Sequence, residues 1–260
     1  FGELALAYHS ELILKKGLSV STVATLGLYD TFGDLKQPSD SILPHVRTDI
    51  VQYLKSSKKG HIRHSSFNWF FQPSRNFYSK ISGGILEEMF AGIGGEILYR
   101  KTFSNFAFGA EVWGVQQRDY RMLFGLQDYK ITTGHINLFY EEPRSKLVFA
   151  LKGGRFLAGD SGINIDVARK WPSGLRMGIF ASKTDISKQE FGEGSFDKGF
   201  YFNIPIESLF GTFQRGLTPF GLRPITRDGA AVLNHQFKLW GMTDWKSAQT
   251  VFETWEDFYD

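Results

Sequence analysis

The sequence has no cysteine. That excludes disulfide frameworks, zinc–thiolate centres and thiol nucleophiles. It also lacks any apolar run of the roughly 18 residues that a helix needs to cross a bilayer. Charge of one sign is missing as well: 30 Lys and Arg stand against 27 Asp and Glu, for a net charge of +3. No basic stripe is present, and so even a balance argues against a nucleic-acid partner. KSSKKG (Lys55 to Gly60) is the densest basic stretch and reads as a solvated turn. No secretory signal is visible. The chain opens in mid-pattern at FGELALAYHS, so a preceding N-terminal portion is expected and the missing signal says nothing about address.

What is abundant is aromatic and glycine: 25 Phe, 10 Tyr, 6 Trp and 28 Gly in 260 residues. With short alternating segments, that composition points to closed antiparallel β architectures. In FAFGAEVWGV, Phe106, Phe108, Ala110 and Val112 share one face, and Ala107, Gly109, Glu111 and Trp113 the other. GHINLFY, GINIDVARK and GLRMGIFAS alternate in the same way. So does the second half of EFGEGSFDKGFYFNIPI, where Phe200, Phe202 and Ile204 oppose Tyr201 and Asn203. Similar patterns fit roughly 3–14, 18–29, 45–54, 61–71, 76–85, 92–100, 146–155 and 216–223. About 12 strands follow, most near the 9–11 residues of a tilted membrane-crossing strand.

Short turns (15–17, 72–76, 101–105, 141–145 and 170–174) alternate with longer polar connections at 30–44, 116–130 and 184–198, as in an outer-membrane barrel. Before residue 92 the alternation slips, which suggests a strand split or merged near Gly83 to Gly95. Aromatics cluster beside the short turns: Trp69, Phe70, Phe71, Phe77, Tyr78, Tyr99, Phe103, Phe106, Phe139, Tyr140 and Trp171. Rings favour the headgroup level, so these read as a girdle. One strand face is apolar throughout, while the other carries Glu96, Glu111, Lys152, Asp166 and Arg176 in mid-strand. The expected fold is an all-β antiparallel transmembrane β-barrel over residues 1–229. A soluble β-domain with an aromatic core is the alternative. Residues 230–260 form a tail in which TDWKSAQTVFETWEDFYD predicts a short amphipathic helix, with Thr243 or Asp244 as N-cap.

No catalytic constellation emerges, and the chain is read as a non-enzyme without cofactor or metal. No G-x-S-x-G occurs. His61 and His64 would point to opposite faces of a strand, poor geometry for a metal. His135 reads as a satisfied interior histidine. IGGE (Ile93 to Glu96) and GEGSF lack the following helix and lysine of a phosphate cradle. Charged residues instead gather near glycines in QQRDY, GRFLAGDSG, EFGEGSFDKG and RPITRDG. Inside a barrel such charges must be paired, because an isolated one is costly. Ion-pair networks are therefore the first reading, and a polar lining that guides a hydrophilic chain, with Tyr120, Phe124 and Phe156 as stacking faces, is the functional alternative.

Taken together, GGILEEMFAGIGGEILYR, QRDY, GRFLAGDSG, EFGEGSFDKGFYFNIPI, RPITRDGA and the LNHQFKLWGMTDW tail resemble the YjbH/GfcD-type family. These are outer-membrane β-barrel proteins of exopolysaccharide and capsule gene clusters in Gram-negative bacteria, and the match is to their C-terminal part. The resemblance implies an outer-membrane component, pore or scaffold, for polysaccharide export or assembly. Its implied partners are outer-membrane lipid, the polysaccharide, other export proteins and an upstream β domain of the same protein. It brings no catalytic set. Arg118, Asp119, Arg155, Asp160, Glu193, Asp197, Lys198, Arg223, Arg227 and Asp228 match the family's charged positions and are assigned to a lumen or loop network, with a polysaccharide-contact role as a hypothesis. The rival readings are a membrane-embedded hydrolase acting on lipid or glycan, and a non-conducting plug or anchor for an export channel.

Overall fold

A computed structural model describes residues 2–35, 42–171, 174–187, 196–205, 217–222 and 228–246. The alternating runs become strands β1 (Glu3–Lys15), β2 (Leu18–Asp30), β3 (His61–Ser74), β4 (Phe77–Ile85), β5 (Phe90–Arg100), β6 (Phe106–Arg118), β7 (Leu126–Glu142), β8 (Leu147–Arg155), β9 (Ser161–Lys170), β10 (Arg176–Thr184), β11 (Asp197–Pro205) and β12 (Leu217–Leu222). Each pairs antiparallel with its sequence neighbours, giving one 12-stranded sheet in the order β1 to β12. Short connections between consecutive strands dictate this meander. Among the described residues no pairing joins β1 to β12, so the sheet is open at those two edges.

The stretch 45–54 is not a strand. It carries α1 (Ile50–Ser56), which buries Tyr53. Ile50, Tyr53 and Leu54 have the i, i+3, i+4 spacing of a helix face, which period-2 counting overlooks. Removing this strand also restores the phase of the connections. Among the described residues, 31–35, 42–60, 86–89, 119–125, 156–160, 185–187 and 196 then lie at one end, and 16–17, 75–76, 101–105, 143–146, 171 and 174–175 at the other. The slip therefore came from 45–54 and not from Gly83 to Gly95. The connection read at 116–130 is shorter too, because β6 runs to Arg118 and β7 begins at Leu126.

The two faces of the sheet differ as the alternation implied. The outer face exposes Phe67, Trp69, Ile93, Phe108, Val112, Ile136, Ile163, Ile165 and Ile179, and Ile136 keeps 73% of its surface accessible. The inner face carries Ser66, Asn68, Lys80, Ser82, His135 and Asn137, all buried. His61 and His64 both point inward, because a β-bulge at Arg63 shifts the register opposite Val23 and Ala24. The aromatic clusters divide between the faces. Trp69–Phe71, Phe77–Tyr99 and Phe106–Tyr140 form outer pairs with centroids 4.7, 5.0 and 4.7 Å apart, ringing the short-turn end. Phe70, Tyr78 and Phe139 turn inward.

The inner face is covered by the chain's own C-terminal part. Residues 228–246 enter at the long-connection end and leave at the short-turn end, passing through α2 (Leu239–Met242) and a 3₁₀ turn at Asp244–Lys246. Beyond this turn, the helix expected at 243–260 lies outside the described residues. Near the long connections an apolar cluster of Val46, Tyr53, Leu86, Met89, Phe90, Trp113 and Leu157 packs against Ala231 and Leu233. Near the short turns Leu98 and Ala107 pack against Leu239. Gly94 faces the Trp113 ring so closely that a Cβ there would meet Cε3 at 2.5 Å. That glycine makes room for the indole beneath the inserted segment.

Candidate functional site

Register places the central charges. Lys80 pairs across the ladder with Glu96, Glu96 with Glu111, and Glu111 with His135, which makes one polar row across β4 to β7. Two carboxylates directly opposite one another repel and require cations. Lys152 Nζ lies 3.0 Å from Glu111 Oε1, and His135 Nδ1 lies 3.3 Å from the same oxygen. His235, from the inserted segment, donates from Nε2 to Glu111 Oε2 at 2.9 Å, and Trp113 Nε1 donates there at 3.2 Å. Glu96 accepts the Leu239 backbone N–H at 3.1 Å. Lys80 Nζ lies 2.9 Å from His235 Nδ1 and donates to the carbonyls of Gln236 at 2.8 Å and Phe237 at 3.0 Å. Strand charges thus hold the segment by its backbone and by one imidazole.

Both ends of the segment are clamped as well. Asp228 accepts from the Arg47 and Thr48 backbone N–H groups and from the Thr48 hydroxyl at 2.7, 3.0 and 2.7 Å. Arg47 and Glu87 pair side by side at 2.7 and 3.0 Å. From that pair Arg47 donates to the Val232 carbonyl, and Glu87 accepts the Asn234 N–H. At the far end Phe139 and Trp240 stack at 4.2 Å, Arg100 lies 4.0 Å over the Trp240 ring, and Lys170 pairs with Asp244 at 2.6 Å.

Among the described residues, those singled out in the sequence do not form one network. Arg118 is fully buried and donates to the carbonyls of Ile62, Glu87, Glu88 and Leu123 at 2.8–3.2 Å. It ties loops together and does not line the central interior. Asp119 caps its own turn by accepting from Arg121 N–H. Asp160 is buried and accepts the Ala230 N–H at 2.7 Å, so Asp160 and Asp228 converge on the entry of the segment. Asp197 is buried at the start of β11. Arg155 and Lys198 stand on the outer face, exposed. Arg155 turns to the Gly159 carbonyl, so the Arg155–Asp160 pairing is replaced by two separate contacts on opposite faces. A residue facing inward at Gly154 forces its neighbour outward, and sequence proximity to Asp160 hid that. Glu193, Arg223 and Arg227 lie outside the described residues. Among the described residues no cluster of three His, Cys, Asp or Glu is suited to a metal ion.

Lys130 and Lys183 join Arg155 and Lys198 as exposed outer-face cations, all toward the long-connection end of the apolar surface. The residues that hold the interior together were only half visible in the sequence. Glu96, Glu111, Lys152, Asp166 and Arg176 stood out as charges within strands. Lys80, His235, Arg47 and Glu87 did not, since nothing local shows that a distant tail will fold against them.

Two results test these local roles. Arg118→Ala leaves four carbonyls without their charged donor and is expected to cost at least about 3 kcal/mol in denaturant unfolding. An unchanged midpoint would remove Arg118 as a tie. Burial raises the Asp160 carboxyl above its usual range. A raised folded-state value favours the protonated form, so this contribution is full below the ordinary value of 3.8 and is lost as pH rises through the folded-state value. Asp160→Asn keeps an acceptor for Ala230, and its melting temperature should not share that decline. Parallel melting profiles across the acid range would contradict the assignment.

Two cavities flank the inserted segment. One, of about 1240 Å³, lies between it and β1–β3, and the other, of about 730 Å³, lies between it and β7–β11. A family model described as exopolysaccharide biosynthesis protein YbjH matches residues 3–245. The uncharacterized lipoprotein YjbH of Escherichia coli (strain K12) is 36% identical over 223 residues, covering 84% of this chain and 32% of that protein. The chain therefore spans about a third of the length of this curated relative. No solved structure matches it.

Proposed function

Because the chain belongs to the YjbH family of exopolysaccharide biosynthesis proteins, we propose that it forms an outer-membrane β-barrel segment that serves polysaccharide export or assembly as a scaffold, with its interior closed at rest by residues 228–246. The observation that carries this reading is the inversion of the sheet: apolar side chains exposed outside, charges and amides buried inside. In water such an outer surface is a severe liability, whereas hydrocarbon satisfies it. The outer aromatic pairs at one border of the apolar surface and the four cations at the other fit the two headgroup levels of a bilayer. The relative is named a lipoprotein and comes from a Gram-negative bacterium, which supports an envelope address. Closure of the sheet is then made by β12 on β1 or by a strand from elsewhere in a longer protein. The role is passive and non-enzymatic: the inner wall offers paired charges and hydroxyl partners, and no step of bond chemistry is assigned to it.

The inserted segment favours the non-conducting version of this role over an open pore. The test is complementation of a polymer-secreting strain that lacks the protein. Wild-type protein should fractionate with the outer membrane and restore secretion. Recovery in the aqueous fraction without surfactant, in folded form, would overturn the membrane reading. Outer-membrane residence with secretion unchanged by deletion would overturn the export role alone.

A further inference from the structure

The cavity of about 730 Å³ beside the inserted segment is of a size suited to a small ligand. Its lining combines aromatic faces with polar groups of unequal commitment. The three carboxylates are already engaged: Glu96 by Leu239 N–H and Lys80, Glu111 by His235, Trp113 and Lys152, and Asp166 by the Tyr201 hydroxyl at 2.9 Å and Arg176 at 3.8 Å. The other groups are not. Asn137 is only 6% exposed, and its Oδ1 has no hydrogen-bond partner. Asn164 spends its amide N–H on Ser182 Oγ, which leaves its carbonyl oxygen to the cavity. Lys238 lines both cavities, its ammonium makes no hydrogen bond or close ion pair among the described residues, and its side chain stays accessible. The Lys152 ammonium on the same wall repels it, and Glu111, Glu96 and Glu87 attract it only from a distance, each already hydrogen bonded elsewhere. Trp240, held between Phe139 and the Arg100 guanidinium, supplies a ring edge at one wall.

A buried amide acceptor without a partner needs a donor, and an ammonium without a counter-ion needs an anion. Acceptors for hydroxyl groups, aromatic walls and one uncommitted cation together describe a carboxylated sugar. We propose that this cavity binds a uronate-class sugar residue, with its carboxylate on Lys238, its hydroxyls on Asn137 and Asn164, and its ring beside the Trp240 edge. The proposal rests on the glycan-handling reading above and deepens it.

The test uses the whole protein extracted in detergent and two probes of equal length, a glucuronic acid trisaccharide and a glucose trisaccharide, followed by titration calorimetry. Wild-type protein should bind the acidic probe roughly tenfold more tightly, the ratio expected for one charge-assisted contact. Lys238→Gln should abolish that preference and leave the affinity for the neutral probe unchanged. Because Lys238 holds no other side chain, this variant should melt with the wild type. Asn137→Ala should weaken both probes severalfold. Equal affinities in the wild type, or a preference retained by Lys238→Gln, would overturn the uronate assignment. A wild type that restores secretion but binds neither probe would overturn this site and leave the export reading standing. One that binds the acidic probe but never restores secretion would do the reverse.

Discussion

Replacing Glu111 with alanine is expected to cost about 3–5 kcal/mol, the penalty for breaking a buried ion pair and stranding its partners. Here the stranded groups are several at once. Lys152, His135 and His235 all lie within 3.3 Å of this one carboxylate, and Lys80 stands beyond His235. Without the anion these groups face one another across a narrow interior. The contact that ties the inserted segment to the middle of the wall disappears with it. A loss of that size shifts an equilibrium between seated and unseated segment by roughly two to three and a half orders of magnitude, at about 1.4 kcal/mol per factor of ten. In planar bilayers the wild type should therefore carry little steady current, and Glu111→Ala should carry a clear one. Glu111→Gln keeps an acceptor for His235 and should fall between the two. A closed Glu111→Ala channel in a protein that melts like the wild type would remove both the hub and the segment's part in closing the interior.

Arginine at position 136 should be equally damaging for a different reason. Ile136 is 73% exposed in the isolated chain, so in water the substitution would change stability by no more than about 0.5 kcal/mol. At the midplane of a bilayer the same change costs about 2–4 kcal/mol. The outer face of β7 supplies its own control. It reads Lys130, Thr132, Gly134, Ile136, Leu138 and Tyr140, from the long-connection end to the aromatic ring. Thr132→Arg, beside the existing Lys130, should cost far less than Ile136→Arg. Refolding into lipid vesicles from denaturant measures both. Equal, small effects at the two positions would mean that water and not lipid meets this surface.

The twelve strands were legible because each carries its own period-2 record, and the record survives without any knowledge of neighbours. Phe106, Phe108, Ala110 and Val112 face outward together, as alternation requires. Glu96, Glu111 and Lys152 were visible as charges that a one-sided apolar strand must turn inward. The losses came where a neighbour decides the outcome. Val46 to Leu54 alternates well enough to mimic a strand, yet Tyr53 finds its buried place and its hydroxyl partner, the Arg118 carbonyl at 2.6 Å, only as part of a helix. The bulge at Arg63, which turns His61 and His64 to the same side, leaves no mark in the sequence. The path of residues 228–246 through the interior depends on Lys80, Glu96 and Glu111 more than 120 positions earlier, and LNHQFKLWG reads locally as a loop. Arg155 and Asp160 looked like a pair because they are close in the chain, while Arg155 points outward at the end of β8 and Asp160 turns from the next connection to the Ala230 N–H.

The central claim is that hydrocarbon covers the outer face of this sheet and protein fills the inner one. The native chain has no cysteine, so single cysteines at successive positions from His135 to Tyr140 give clean sites for nitroxide labels in lipid vesicles. Collision with oxygen, which concentrates in hydrocarbon, and with a water-soluble nickel chelate can then be read at each position. The account predicts high oxygen and low nickel accessibility at 136, 138 and 140, with both low at 135, 137 and 139, alternating residue by residue. Nickel accessibility equal to or above oxygen at 136 and 138, in correctly folded protein, would contradict it.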